Sequence, residues 1–70
     1  MMPLVYADIG TVNIIRKISG KPEIKKHLED MGFVAGAPIT VVSTVNGNLI
    51  VNVKNTKVAL DKELAEKIMI

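Results

Sequence analysis

Turn-forming residues interrupt this chain so often that it can contain only short secondary-structure elements. No apolar run between them is longer than four residues, whereas a membrane-spanning helix needs about 20. Short strands joined by tight turns are therefore expected, in a single domain that covers residues 1–70. The interruptions fall at Gly10, Gly20, Gly32, Gly36, Pro38, Asn46-Gly47 and Asn55.

Alternation of apolar and polar residues predicts five short strands. They are Thr11–Ile18, Ile39–Val45, Leu49–Val53, a strand that includes Val58 and Leu60, and Ile68–Ile70. In the first strand, Val12, Ile14 and Ile18 are expected to share the face that packs on the core. Arg16 falls on that same face, so we expect the strand to bulge or end near it.

The parity of the apolar positions predicts the two hairpin turns, because cross-strand partners lie on the same face. The core-facing residues of the second and third strands are all odd-numbered, which requires a loop with an odd number of residues. We therefore expect a three-residue loop, Val45-Asn46-Gly47. A two-residue turn at Asn46-Gly47 would need a bulge elsewhere. In the next hairpin, pairing Val53 with Val58 predicts a two-residue turn at Asn55-Thr56.

The segment Lys21–Met31 has the pattern of an α-helix. Pro22 suits the first helical turn, where its missing N–H costs nothing. The apolar stripe that repeats at helical spacing is Ile24, Leu28 and Met31. Gly32 suits the left-handed position just after the helix, so Phe33 is expected to fold back and contact Leu28.

Together these elements predict a mainly β protein. We expect a small barrel of about five antiparallel strands with the helix inserted after the first, because closing a sheet removes its exposed edges. Asp61 is expected to cap a short helical turn near Asp61–Glu66, just before the last strand.

The chain contains no combination of residues that predicts catalysis or a metal site. It has no cysteine, and His27 is its only histidine, so a typical zinc or iron site is not expected. Because no nucleophile is paired with a base in a recognisable motif, we expect neither an enzyme nor a cofactor. The N-terminus lacks the basic start and long apolar run of a signal peptide, so a cytoplasmic location without membrane insertion is expected.

Two surface features are candidates for binding a partner. The basic candidates are Arg16, Lys21, Lys25 and Lys26. This cluster can dock on an acidic partner, or it can be an ordinary solvated helix face. The loop candidates are Phe33, Val34 and Ala35, which form either a contact patch or a plug at one end of the barrel. Nucleic acid is not expected as a partner, because one Tyr and one Phe are too few to stack bases.

Three segments resemble those of a known family, the FeoA-type ferrous iron transport proteins. Residues 28–39, LEDMGFVAGAPI, resemble its central motif. Residues 10–15, GTVNII, stand where the family has its first strand, and residues 58–68, VALDKELAEKI, resemble its C-terminal segment. The resemblance covers nearly the whole chain. It implies an SH3-like barrel and a cytosolic accessory of FeoB, a membrane ferrous iron permease with a cytosolic GTPase domain.

This chain departs from the family pattern at two places. Family members often carry an arginine pair where this chain has Lys26 and His27, and a basic residue where it has Asp61.

The resemblance also implies a regulatory role, in which the protein controls GTP hydrolysis or opening of the permease at the inner face of the membrane. Arg16 is the only arginine that could act as an arginine finger. A nucleic-acid-binding barrel, or a regulatory domain like the C-terminal barrel of iron-dependent repressors, is the alternative.

Overall fold

The computed structural model describes all of residues 1–70, and it confirms a mainly β protein with antiparallel strands. The strands are β1 (Val12–Ile14), β2 (Lys17–Ile18), β3 (Pro38–Val45), β4 (Asn48–Val53), β5 (Thr56–Leu60) and β6 (Ile68–Met69). The helices are α1 (Pro22–Asp30) and α2 (Lys62–Lys67), preceded by a single 3₁₀ turn at Leu4–Tyr6.

The strands form two small sheets rather than one closed barrel. β1, β3, β4 and β5 form the larger sheet in that spatial order, and β2 pairs with β6 in the smaller one. The N-terminal residues extend the smaller sheet, because Met2 and Ile70 exchange two backbone hydrogen bonds of 3.0 and 2.8 Å. The chain crosses between the sheets at Ile15 and Arg16, which lie between β1 and β2.

The predicted inner face of the first strand was wrong. Val12 and Ile14 are 64% and 48% exposed, whereas Ile15 is buried together with Ile18. The expected interruption near Arg16 explains the difference. Where the strand leaves the larger sheet, the alternation shifts by one residue, and Ile15 takes the place in the core that Ile14 was expected to fill.

The predicted three-residue loop of the first hairpin was also wrong. Val45 pairs with Asn48, so Asn46 and Gly47 form a two-residue turn with φ of 52° and 83°. Two left-handed residues make a type I′ turn, which Asn-Gly favours. A bulge between Val41 and Ser43 then restores the pairing of core-facing residues.

In the second hairpin the turn lies one residue earlier than predicted. Val53 pairs with Thr56, and Lys54 and Asn55 form the turn with φ of 50° and 61°. Val51 therefore pairs with Val58. This is a shift of two residues from the predicted register, which leaves the same side chains on the inner face.

The predicted helix and its ending were confirmed. Pro22 begins α1, with Lys21 as N-cap and Met31 as C-cap. At the other end, Gly32 has φ of 101° and its N–H donates to Glu29 at 2.9 Å, while the Phe33 N–H donates to Leu28 at 3.0 Å. These are the two hydrogen bonds of a Schellman motif.

Fifteen apolar side chains form one core, with no polar side chain among them. It includes Leu4, whose place in the core the sequence pattern did not predict, and the 3₁₀ turn that carries Leu4 packs against α2. The expected cap of α2 was confirmed, since Asp61 Oδ1 accepts a hydrogen bond of 2.8 Å from the Leu64 N–H. The core residues are Leu4, Ile15, Ile18, Leu28, Phe33, Ala37, Ile39, Val41, Leu49, Val51, Val53, Leu60, Ala65, Ile68 and Ile70.

Candidate functional site

Three of the basic candidates lie between the N-cap and the middle of α1. Lys21, Lys25 and Lys26 are all exposed. The Lys25 N–H donates to the Lys21 carbonyl at 2.9 Å, which places their side chains one helical turn apart on the same side. Lys26 follows about 100° around the helix. The cluster therefore extends from the N-cap to the middle of α1 on more than one side.

A fourth lysine, Lys67, joins this cluster although it is distant in sequence. The Ser19 N–H donates to the Lys67 carbonyl at 2.7 Å, which continues the pairing of β2 with β6. The Lys67 side chain extends over Gly20, where an added Cβ would lie only 3.3 Å from Lys67 Cδ. Only the register of the two strands brings Lys67 here, so no local sequence signal could have found it. We call Lys21, Lys25, Lys26 and Lys67 the basic end of α1.

The loop after α1 offers less surface than expected. Phe33 is fully buried, so its inclusion among the exposed contact residues was wrong. Its hydrogen bond in the Schellman motif turns it inward against the core. Val34 is half-buried and packs on the core, and Ala35 is exposed. Ala37 is buried as well, so the residues of this loop that are exposed to solvent are Ala35 and Gly36.

Arg16 lies beside this loop. Its N–H donates to the Met69 carbonyl at 2.8 Å, and its side chain is exposed. The preceding residue, Ile15, accepts a hydrogen bond of 2.7 Å from the Gly36 N–H. Arg16, Val34 and Ala35 therefore form a second group, which we call the loop patch.

The candidate residues thus divide into two groups at opposite ends of α1. The helix has nine residues, which corresponds to a length of about 13 Å. Lys21 precedes the first of these residues, whereas Val34 and Ala35 follow the last. A partner that touches both groups would have to extend along the helix.

A shallow groove on the outer face of the larger sheet was not predicted. It is lined by Val12, Pro38, Thr40, Asn52, Lys54 and Asn55. The Lys54 side chain passes close to Gly32 at the end of α1, so the groove borders the helix C-terminus. The sequence pattern did not predict this groove, because it placed Val12 in the core and not on the outer face of the sheet.

Histidine and carboxylate side chains do not gather anywhere into a group of three that could hold a metal ion. No helix is both long and apolar enough to span a membrane.

Comparison with known proteins identifies one family over almost the whole chain. Its model, described as the FeoA domain, matches residues 2–70. A relative from Methanocaldococcus jannaschii, named "Putative Fe(2+) transport protein A", is 33% identical over 70 residues, which cover all of this chain and 85% of the relative.

Solved structures share the same fold. A crystal structure described as an iron uptake regulatory protein (FeoA) has a TM-score of 0.88 and 31% identity, covering 97% of this chain and 90% of its own. The Stenotrophomonas maltophilia FeoA complexed with zinc, described as an SH3 domain protein, has a TM-score of 0.85 and 23% identity over 99% of this chain and 88% of its own. A manganese-dependent transcriptional repressor has a TM-score of 0.84 and 19% identity over 94% of this chain and 38% of its own. The last two likenesses show a common fold, which is SH3-like.

Proposed function

This chain belongs to the FeoA domain family of ferrous iron transport accessory proteins, and from that premise we propose that it docks on a FeoB-type permease. The proposed contact is with the cytosolic GTPase region of the permease.

The observation that carries this proposal is the arrangement of charge along α1. A helix is stabilised by acidic residues near its N-terminus and basic ones near its C-terminus. Lys21 is the N-cap of α1, Lys25 closes its first turn and Lys26 is its middle residue, whereas Glu29 and Asp30 are its last two residues. Glu23 and His27 follow the favourable arrangement, but the lysines at the start and the acids at the end oppose it.

The N-cap of α1 supports the same conclusion. Ser, Thr, Asp and Asn are preferred there because their side chains accept a hydrogen bond from the first turn. Lys21 occupies this position and makes no such bond. At the corresponding position of α2, Asp61 does make it. Because the basic end of α1 does not serve the stability of its own helix, recognition of an acidic surface accounts for it better.

Reversing one charge on each helix tests the proposal. We expect Lys25→Glu to weaken binding of the purified cytosolic GTPase region of the permease by about tenfold, because it places like charges together at the interface. Lys62→Glu is the matched control, since Lys62 is an exposed lysine on α2. Titration calorimetry at low ionic strength measures both. Equal affinities of the two variants would contradict docking through the basic end of α1.

Stimulation of GTP hydrolysis by an arginine finger can be tested independently of docking, at a single residue. Any arginine finger in this chain has to be Arg16, whose side chain is exposed in the loop patch. If the protein stimulates hydrolysis by this mechanism, Arg16→Ala abolishes the stimulation and leaves the fold intact. Unchanged stimulation would rule out an arginine finger but not docking.

A further inference from the structure

β1 is an edge strand whose backbone is open on one side. It pairs with β3 through Val12 with Thr40, Asn13 with Ile39 and Ile14 with Pro38. In an antiparallel pair, alternate residues direct their N–H and C=O groups toward the partner. Ile15 does so, with a hydrogen bond of 2.9 Å to Ala37, and Pro38 has no N–H to donate. The N–H and C=O groups of Val12 and Ile14 therefore point away from β3.

No other strand occupies that side of β1. Among the backbone hydrogen bonds outside the regular ladders, none involves Val12 or Ile14. Two residues further on, the Arg16 N–H points the same way and donates to Met69 of β6. A strand added beside β1 would therefore lie on the side that β6 occupies next to Arg16, and it would join the two sheets.

The side chains at this edge are also unpartnered and apolar. Val12 and Ile14 are the exposed residues of β1, and they lie on the same outer face as Pro38 and the groove. Edge strands that must not pair with other chains commonly carry a charged residue, above all lysine. The opposite edge strand, β5, carries Lys57, whereas β1 has no charged residue. β1 is thus the edge strand of the larger sheet that carries no charged residue.

Charge indicates what kind of segment fits there. The four strands of the larger sheet contain no Asp or Glu, Lys54 lines the groove on the outer face, and the exposed Arg16 follows β1 two residues after Ile14. We propose that the β1 edge binds an extended segment of the transport partner by strand addition, with apolar residues beside Val12 and Ile14 and acidic residues at its end near Arg16. This inference rests on the proposed function, because it takes the segment to belong to the permease's cytosolic region.

Amide hydrogen exchange tests strand addition residue by residue. In the free protein, the Val12 and Ile14 amides are expected to exchange rapidly, while Asn13 and Ile15 are protected by β3. With saturating cytosolic region of the permease, we expect exchange at Val12 and Ile14 to slow by about tenfold or more, with little change at Asn13 and Ile15. Binding without slower exchange at Val12 and Ile14 would overturn strand addition and leave the proposed function standing.

A matched pair of variants separates the β1 edge from the basic end of α1. Val12→Glu places a carboxylate against the apolar residues that the added segment sets beside Val12, and we expect it to weaken binding about tenfold. Val45→Glu is the control, because Val45 is 53% exposed and lies on the same sheet at the hairpin turn. Equal affinity of the two variants would overturn strand addition.

Two other results would also overturn strand addition at the β1 edge. If the wild-type protein does not bind the cytosolic region at all, the proposed function fails and the inference fails with it. If Val12 and Ile14 become protected without the partner, as the protein concentration rises, the edge pairs with a second copy of this chain and the inference is overturned.

Discussion

Phe33 connects the end of α1 to the core through both its backbone and its side chain. Its N–H completes the Schellman motif with Leu28, and its ring is fully buried in the core cluster to which Leu28 also belongs. It is the only phenylalanine in a chain of 70 residues. A domain of this size has a net stability of only about 3.5–10 kcal/mol.

Replacing Phe33 should therefore affect folding strongly. We expect Phe33→Ala to lower the free energy of unfolding by about 3–5 kcal/mol, because it removes buried apolar area and leaves a cavity. Phe33→Leu, which keeps much of the volume, should cost about 1–2 kcal/mol. Urea denaturation followed by circular dichroism measures both. A loss below about 1 kcal/mol for Phe33→Ala would contradict its place in the core.

The range of the contacts along the chain explains why the roles of some residues could be predicted from the sequence and those of others could not. Gly32 and Asp61 were predicted correctly because their roles depend on bonds within their own helix ends. The positions of Leu4 and Lys67 could not be predicted, because each depends on a contact with a distant part of the chain. The bridge between Pro3 and Met69 places Leu4, and the register of β2 with β6 places Lys67. Phe33 had two sequence interpretations, and its local hydrogen bond decided in favour of the buried one.

At the scale of elements, α1 combines a stable ending with an unfavourable beginning. Its C-terminus has both Schellman hydrogen bonds, whereas its N-cap is a lysine without a capping bond. Lys21 and Lys25 near its N-terminus oppose the helix dipole, whereas Glu23 complements it. Stability and recognition should therefore respond in opposite directions to a change at Lys21.

We expect Lys21→Asp to raise the free energy of unfolding by about 0.5–2 kcal/mol, since an aspartate at the N-cap accepts a hydrogen bond and complements the dipole. The same substitution should weaken binding of the permease's cytosolic region. Thermal unfolding and titration calorimetry on one preparation measure the two effects. Lys21→Ala, which removes the charge without adding a cap, is the control. Loss of stability in Lys21→Asp would refute this account of the helix start.

The strands show the limit of arguments from alternation. Parity kept the inner faces of β4 and β5 correct even though the turn at Lys54 and Asn55 was displaced by one residue. It failed in β3, where the bulge between Val41 and Ser43 changes the parity inside the strand. It failed again in β1, where the chain changes sheets at Ile15. Bulges and sheet crossings are set by tertiary packing, which a local pattern does not record.

At the scale of the whole molecule, the candidate partner-binding residues form two separate surface regions on a small scaffold. The basic end of α1 lies at one end of that helix, and the loop patch lies at the other, next to Ile15 and the β1 edge. Neither region has a buried polar group or a cluster of metal ligands. The family to which the chain belongs is associated with ferrous iron transport, and the proposed docking partner is sought in that transport system.

The most direct test of the central claim is an NMR titration of the amide-labelled protein with the cytosolic GTPase domain of its own FeoB-type permease. The titration is run once with GDP and once with a GTP analogue. We predict localised shifts in residues 21–26, at Lys67, in the loop patch and along β1, with residues 62–66 of α2 unchanged, and a dependence on the nucleotide if the protein senses the state of the GTPase. Absence of shifts at saturating domain concentration with either nucleotide would contradict docking on the GTPase domain.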